Sequence, residues 1–245
     1  MTNAQHRQPP TRWWMPTARV VALAVAMAAA LSAGSARAGR PLVSETADVM
    51  VAGDCELEAA VGQRREIGAP SPWLADAVVS CGWGGHSQLG VNLAGARAAG
   101  ATDQLAGLSG KTMLRLPKDD STGFALAYSI GRNNQAGKGW NSAGGRLYGV
   151  ASRGLGKNLV GHANLGWLRS GRHPLNHTTW SLGIEGDGPL GWAADVFGDD
   201  RSRPWLSGGV KLPLGETTSM NLSYAQPFEW PRVQLWTLGF KIEFK

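Results

Sequence analysis

The feature that most constrains this chain is an alternation of period two that repeats through almost all of residues 54–245. In a strand, successive side chains point to opposite faces, so residues i, i+2 and i+4 share one surface. From Gly123, GFALAYSIG puts Phe124, Leu126, Tyr128 and Ile130 on one face, against Ala125, Ala127, Ser129 and Gly131. From His177, HTTWSLGIE sets Trp180, Leu182 and Ile184 against Thr179, Ser181, Gly183 and Glu185. TSMNLSYA alternates Met220, Leu222 and Tyr224 with Ser219, Asn221 and Ser223, and SQLGVNLAG sets Leu89, Val91 and Leu93 against Gln88, Gly90 and Asn92. One face is bulky and apolar; the other is small or polar with scattered charges. A soluble sandwich would carry more Lys, Glu and Thr on its polar face. Small polar residues opposite large apolar ones describe the lumen and the lipid face of a transmembrane barrel. Such strands must close on themselves, because no backbone donor can stay unpaired in lipid.

The fold expected is therefore all-β: a single transmembrane antiparallel up-and-down β-barrel of about 12 strands. The alternation places them near 54–64, 73–82, 86–97, 105–116, 122–132, 144–153, 158–169, 178–186, 190–198, 204–213, 217–225 and 233–244. An even count puts both termini on the periplasmic side. WGG after Cys81, PKDDS, GLGK, GDGP and LGET then read as tight periplasmic turns. REIGAPSP, ARAAGATD, NNQAGKGWNSA, SGRHPLNH, GDDRSR and QPFEWPR read as longer outer loops.

Composition agrees: 34 Gly, 11 Trp and only 17% charged residues, where a soluble domain averages about 25% charged and about 7% Gly. The one long apolar run, Val20 to Leu31, follows Arg7, Arg12 and Arg19 and precedes Ala36-Arg37-Ala38. A basic region, a short apolar stretch and a small-x-small site describe a secretory signal peptide; a spanning helix needs about 20 apolar residues. A retained signal anchor is the alternative, and Met1 and Met15 both fit as the start. The domain plan is a signal peptide over 1–38, a periplasmic N-terminal segment over 39–53 and an outer-membrane barrel over 54–245. The leader carries four Arg and no acid, so the net charge of +6 falls to +2 in the mature chain, 20 basic against 18 acidic residues. No run of like charges remains for a nucleic acid. Export and the strand pattern place the protein in the outer membrane of a Gram-negative bacterium. Its partners there are outer-membrane lipid, lipopolysaccharide and the barrel assembly machinery. No cofactor and no metal site is expected.

Cys55 and Cys81 are the only thiols. A hairpin centred on Gly68 sets them opposite one another, with Leu57 facing Val79, Ala59 facing Ala77 and Val61 facing Ala75. A disulfide fits that register and an oxidising compartment; two unpaired thiols fit it as well. Trp73, Trp83, Trp140, Trp167, Trp180, Trp192, Trp205, Trp230 and Trp236 mostly fall at strand ends, as interfacial girdles do. In the last strand, Trp236, Leu238, Phe240, Ile242 and Phe244 share a face, which resembles the C-terminal assembly signal of outer-membrane barrels.

The inward positions carry the candidate chemistry. Glu56, Glu58 and Asp76 point inward on the first two strands; Lys111, Arg115 and Arg146 do so on the fourth and sixth. Glu185, Asp195, Lys211, Lys241 and Glu243 follow, with His162 near Asn164. Two readings fit this mixed set: a charged channel lining that biases selectivity, or an ion-pair network that closes the lumen. No G-x-S-x-G or H-E-x-x-H motif occurs, and Gly85-His86-Ser87 falls in a turn. His173 and His177 bracket an outer loop. GDDRSRPW, residues 198–205, concentrates acids and Arg at a strand end; it reads as a solvated loop, with binding of lipopolysaccharide phosphate or divalent cations as the alternative.

Residues 40–58, RPLVSETADVMVAGDCELE, resemble the start of an outer-membrane barrel family linked to the phenol meta-cleavage pathway. Arg40, Pro41, Leu42, Ala47, Asp48, Gly53, Glu56 and Glu58 carry that resemblance. It implies a transporter-like barrel for small molecules, aromatic ones among them. The function expected is a passive channel. A lipid-modifying enzyme using His162 or the loop between His173 and His177, and a structural or surface-binding barrel, are the alternatives.

Overall fold

The structure, a computed structural model, describes residues 42–66, 71–116, 121–171, 176–228 and 233–245. The leader, His173 and Trp230 lie outside these. Twelve strands follow in chain order: β1 Cys55–Glu66, β2 Trp73–Trp83, β3 Ser87–Ala98, β4 Ala101–Arg115, β5 Gly123–Gln135, β6 Trp140–Gly156. The second half comprises β7 Leu159–Ser170, β8 Asn176–Gly186, β9 Gly191–Asp199, β10 Trp205–Pro213, β11 Thr218–Pro227 and β12 Val233–Phe244. Each pairs antiparallel with its sequence neighbours, and β1 pairs β12 to close the barrel. The β1–β12 register runs from Cys55 opposite Phe244 to Glu66 opposite Val233, so closure engages the full length of both strands. We call the end where β1 begins and β12 stops the terminal end.

The alternation sorts the two faces as expected. Leu93, Ile130, Leu165 and Leu182 point outward and are each more than half exposed, which an apolar surrounding makes favourable and water does not. Ala125, Ala127, Ser181, Ser207 and Asn221 point inward and are buried. The most enclosed cluster lies inside the barrel, where Ala47 meets Ala125, Ala127, Tyr148 and Val150.

Three expectations need correction. The contrast between short and long connections does not hold. ARAAGATD collapses into the tight turn 99–100, with Ala99 at φ 48° and Gly100 at φ 82°, the left-handed pair a two-residue hairpin turn needs. β5 and β6 likewise extend until only 136–139 separates them. Paired strands keep satisfying their own backbone beyond the apolar band, so pairing continues where hydrophobicity stops. Trp205 does not belong to an outer girdle: it pairs with Phe197 on the inward face, ring centroids 6.2 Å apart and 20° from parallel. Arg115 leaves the inward row, because an irregularity between Met113 and Arg115 sets it opposite the outward Phe124. A bulge of this kind shifts every later residue to the other face.

Cys55 and Cys81 are disulfide-bonded, in the register the hairpin arithmetic predicts. Mass spectrometry after alkylation without reductant should therefore find no modified cysteine. Replacing both with Ser should lower the unfolding free energy in detergent by about 3 kcal/mol, the loop-closure contribution for a loop of this order.

Candidate functional site

A barrel of twelve strands encloses more room than its side chains fill, since about eight strands already suffice to be filled by them. Here the space at the terminal end is taken by the chain itself. Residues 42–52, expected to lie in the periplasm, instead cross the inside of the barrel from β9 to β2. The crossing is held by inward side chains that address its backbone. Val43 N–H donates to Asp195 Oδ2 at 3.1 Å and Ser44 N–H to Asp195 Oδ1 at 3.0 Å. With its amide oriented by its partners, Asn164 accepts from Glu45 N–H at 2.7 Å and donates to Glu45 carbonyl at 3.2 Å. Lys111 Nζ donates to the Thr46 carbonyl at 3.1 Å and lies 3.4 Å from Glu45 Oε2. Ala47 N–H donates to Ser152 Oγ at 2.8 Å, and Met50 N–H to Gln88 Oε1 at 3.2 Å. An extended segment cannot supply its own backbone partners, so the wall supplies them.

The segment is anchored where it joins β1. Ala52 bridges Gly82, Gly53 N–H donates to Gly82 O at 3.1 Å, and Gly82 N–H donates to Asp54 O at 2.9 Å. A Cβ on Gly82 would collide with the carbonyls of Val51 and Met50, so only glycine lets the segment pass over β2. The disulfide lies beside this crossing and ties β1 to β2.

Behind the segment, His162 joins two strands. Its Nδ1 is 2.8 Å from Ser152 Oγ and its Nε2 is 3.2 Å from Glu185 Oε1. This is a serine, histidine and carboxylate in line. Yet Ser152 is 3% exposed and its oxygen already receives the Ala47 N–H, which leaves no approach for a substrate. The same Ser152 hydroxyl holds the segment.

A second cluster forms where the barrel closes. Lys241 Nζ lies 2.6 Å from Glu56 Oε2 and 3.2 Å from Glu243 Oε1. Glu56 and Glu243 are register partners across β1 and β12, and Glu58 is the partner of Lys241. Without the lysine, carboxylates would face one another across the closing seam. Lys211 lies inward on β10 between Gly191 and Asn221. Asp76 lies inward on β2 between Ala60 and Ala94. Arg146 extends its guanidinium over the Tyr148 ring, 4.3 Å from the centroid.

The sequence reading named Lys111, His162, Glu185 and Asp195 without their common purpose, and it missed Ser152, Asn164 as a backbone reader, Gln88 and the Phe197–Trp205 pair. Nothing in the alternation marks a strand residue that will meet a segment more than a hundred positions away. At the other end of the barrel, His177, Asp199 and Asp200 bring ligand atoms within 4.8 Å of one another. Asp199 is already committed: it accepts from Arg201 N–H at 2.7 Å, Ser202 N–H at 2.6 Å and Ser202 Oγ at 2.9 Å. This closes an Asx turn.

A closed twelve-stranded barrel with an apolar outside and a polar inside has the architecture of a porin. Among solved structures, the chain is similar to the KdgM porin in complex with disordered oligogalacturonate, with a TM-score of 0.58 and 8% identity over 78% of this chain and 99% of that one. It is similar to the NanC porin at TM-score 0.54 and 9% identity, over 76% and 98% of the two chains. It is also similar to the outer membrane phospholipase A of Escherichia coli at TM-score 0.51 and 10% identity, over 88% and 96%. At these identities the likeness is one of fold. The chain belongs to the family described as Uncharacterised conserved protein UCP029691, whose profile matches residues 25–244. No curated protein matches it.

Replacing Lys241 with Met should destabilise the refolded barrel by about 3 kcal/mol, the usual effect of stranding a half-buried carboxylate. Urea unfolding followed by tryptophan fluorescence measures it. A further Glu56→Gln change should recover part of the loss.

Proposed function

We propose that the protein is an outer-membrane channel or transporter for small molecules, with its termini on the periplasmic side. The observation that carries this reading is the closed barrel whose inward face is largely Ala, Gly, Ser and Asn, with charged residues such as Asp76, Arg146 and Asp195 among them. Such small side chains leave a passage that Leu or Phe would fill. Outer-membrane placement rests on the exposed apolar outside, and on closure, which alone lets strands cross a bilayer.

The favoured solutes are apolar or aromatic small molecules. Away from the terminal end, the inward row carries Phe197 stacked on Trp205, with Pro227 and Leu235 at neighbouring register positions. Aromatic faces there suit a flat ring by offset stacking. This agrees with the resemblance of residues 40–58 to barrels linked to the phenol meta-cleavage pathway. An enzyme acting on lipid is less well supported, because the one serine–histidine–carboxylate relay among the described residues faces the lumen and is covered. A surface-binding role is less well supported too, since connections such as 99–100 and 136–139 offer little area.

Refolded full-length protein in a planar bilayer should give discrete conductance steps, and liposomes carrying it should take up small aromatic solutes faster than empty ones. Absence of both steps and uptake, in the full-length protein and in variants altered at the N-terminal segment, would overturn the channel reading. Trp205→Ala should slow uptake of aromatic solutes more than that of small sugars.

A further inference from the structure

We infer that the terminal mouth of the lumen is a binding site for an extended peptide backbone, and that residues 42–50 are its resting occupant, a self-ligand that shuts the passage and can be displaced. The gating half of this inference rests on the channel reading; the binding half does not.

Three observations carry it. The wall addresses main-chain groups along the whole crossing: Asp195 takes two consecutive N–H groups, Asn164 takes the N–H and the carbonyl of one residue, and Lys111, Ser152 and Gln88 take one group each. Few hydrogen bonds reach the segment's side chains, although the Ala47 methyl packs against Ala125, Ala127, Tyr148 and Val150. Ser44 Oγ is buried without a hydrogen-bond partner among the described residues, while its N–H is bound. Glu45 is the exception, reached by Lys111 and Tyr148. A site that reads backbone accepts any extended peptide of suitable girth, as strand addition does at sheet edges.

Asp195 is also poorly explained as a wall residue alone. It is 2% exposed, and apart from Ser207 Oγ at 3.3 Å the hydrogen bonds described for it come from the segment. With the segment gone, a buried carboxylate would face the lumen short of two donors, and would hold affinity for whatever supplies them. Opposite it, Gly183 keeps the space open. A Cβ there would stand 2.6 Å from Asp195 Oδ1 and 2.7 Å from Ser44 Oγ. The small residue is what allows a backbone to seat against the carboxylate.

The geometry also gives the segment a fixed end and a releasable end. The Gly82 crossing and the neighbouring disulfide hold residues 51–54, whereas 42–50 are held only by side-chain contacts. The boundary between the two falls between Met50 and Val51, and Gly53, at φ 88°, turns the chain within the fixed part. Displacement would open the mouth without disturbing the closing seam between β1 and β12.

The test uses a variant lacking residues 42–50, checked for folding by heat-modifiable migration, and three acetylated fluorescent peptides. The first has the sequence of residues 42–50. The second is shuffled with the residues at the Glu45 and Ala47 positions kept in place. The third is the first with N-methyl groups at the Ser44 and Ala47 positions, which deletes one of the two donors to Asp195 and the donor to Ser152. The native and shuffled peptides should bind with comparable affinity by fluorescence anisotropy, and the N-methylated one at least about tenfold more weakly, the effect of losing one charge-assisted hydrogen bond. Equal binding of the N-methylated peptide, binding of the native peptide alone, or no binding to the folded variant would each overturn the inference. In the full-length protein, Ala47→Cys should resist thiol reagents. Adding Gly183→Val or Asp195→Ala should expose it and raise open probability in the bilayer; unchanged labelling would overturn the displaceable occupant. If the peptides bind as expected and no variant conducts, the binding site stands and the channel reading falls.

Discussion

Everything in this molecule depends on the pairing of β1 with β12. A sheet in lipid has nowhere to leave an edge, because each unpaired backbone group there costs several kcal/mol. The chain meets that demand along the full length of both terminal strands. Two further features act at the same place. The disulfide ties β1 to β2 beside the terminal end, and Lys241 neutralises the carboxylates that the seam would otherwise press together. The seam is the one contact between elements far apart in sequence that the fold cannot lose, and it carries the densest charge in the wall.

Closure creates a second problem. A ring of twelve strands with small inward residues is too wide for its own side chains to fill at the terminal end. The solution is to use backbone as filler. An extended segment brings unpaired N–H and C=O groups at every residue, so the wall must meet them with side chains. The inward polar residues of β3, β4, β6, β7 and β9 are the answer to that requirement. Among the inward charges, Lys111 and Asp195 bind the segment and Lys241 pairs with Glu56 and Glu243 at the seam.

The fold was legible because its signal is local and repeated. Each alternating stretch states its own two faces, the hairpin around Gly68 fixes the cysteine register, and the last strand states its outward row. Legibility failed where alternation breaks. The irregularity after Met113 turns Arg115 away from the row its number assigns it. Trp205 obeys the alternation, yet its position at a strand end suggested a girdle, and only the parity of Asp195 and Ser207 shows that it faces inward. The site was the least legible part. Leu42, Ala47 and Gly53 carried a family resemblance without showing any period, and an aperiodic stretch before the first strand reads as a linker.

The sequence by itself determined the barrel: the number of strands, their order, most of their faces and the register that sets Cys55 opposite Cys81. These follow from period-two chemistry and from a bilayer that permits no open edge. Only the tertiary structure decided what occupies the lumen. Whether residues 42–50 hang free or lie against Asp195 and Ser152 depends on bringing β3, β4, β6, β7 and β9 around one point in space. Closure alone does that, because the partners of each backbone group lie on strands that no local pattern connects.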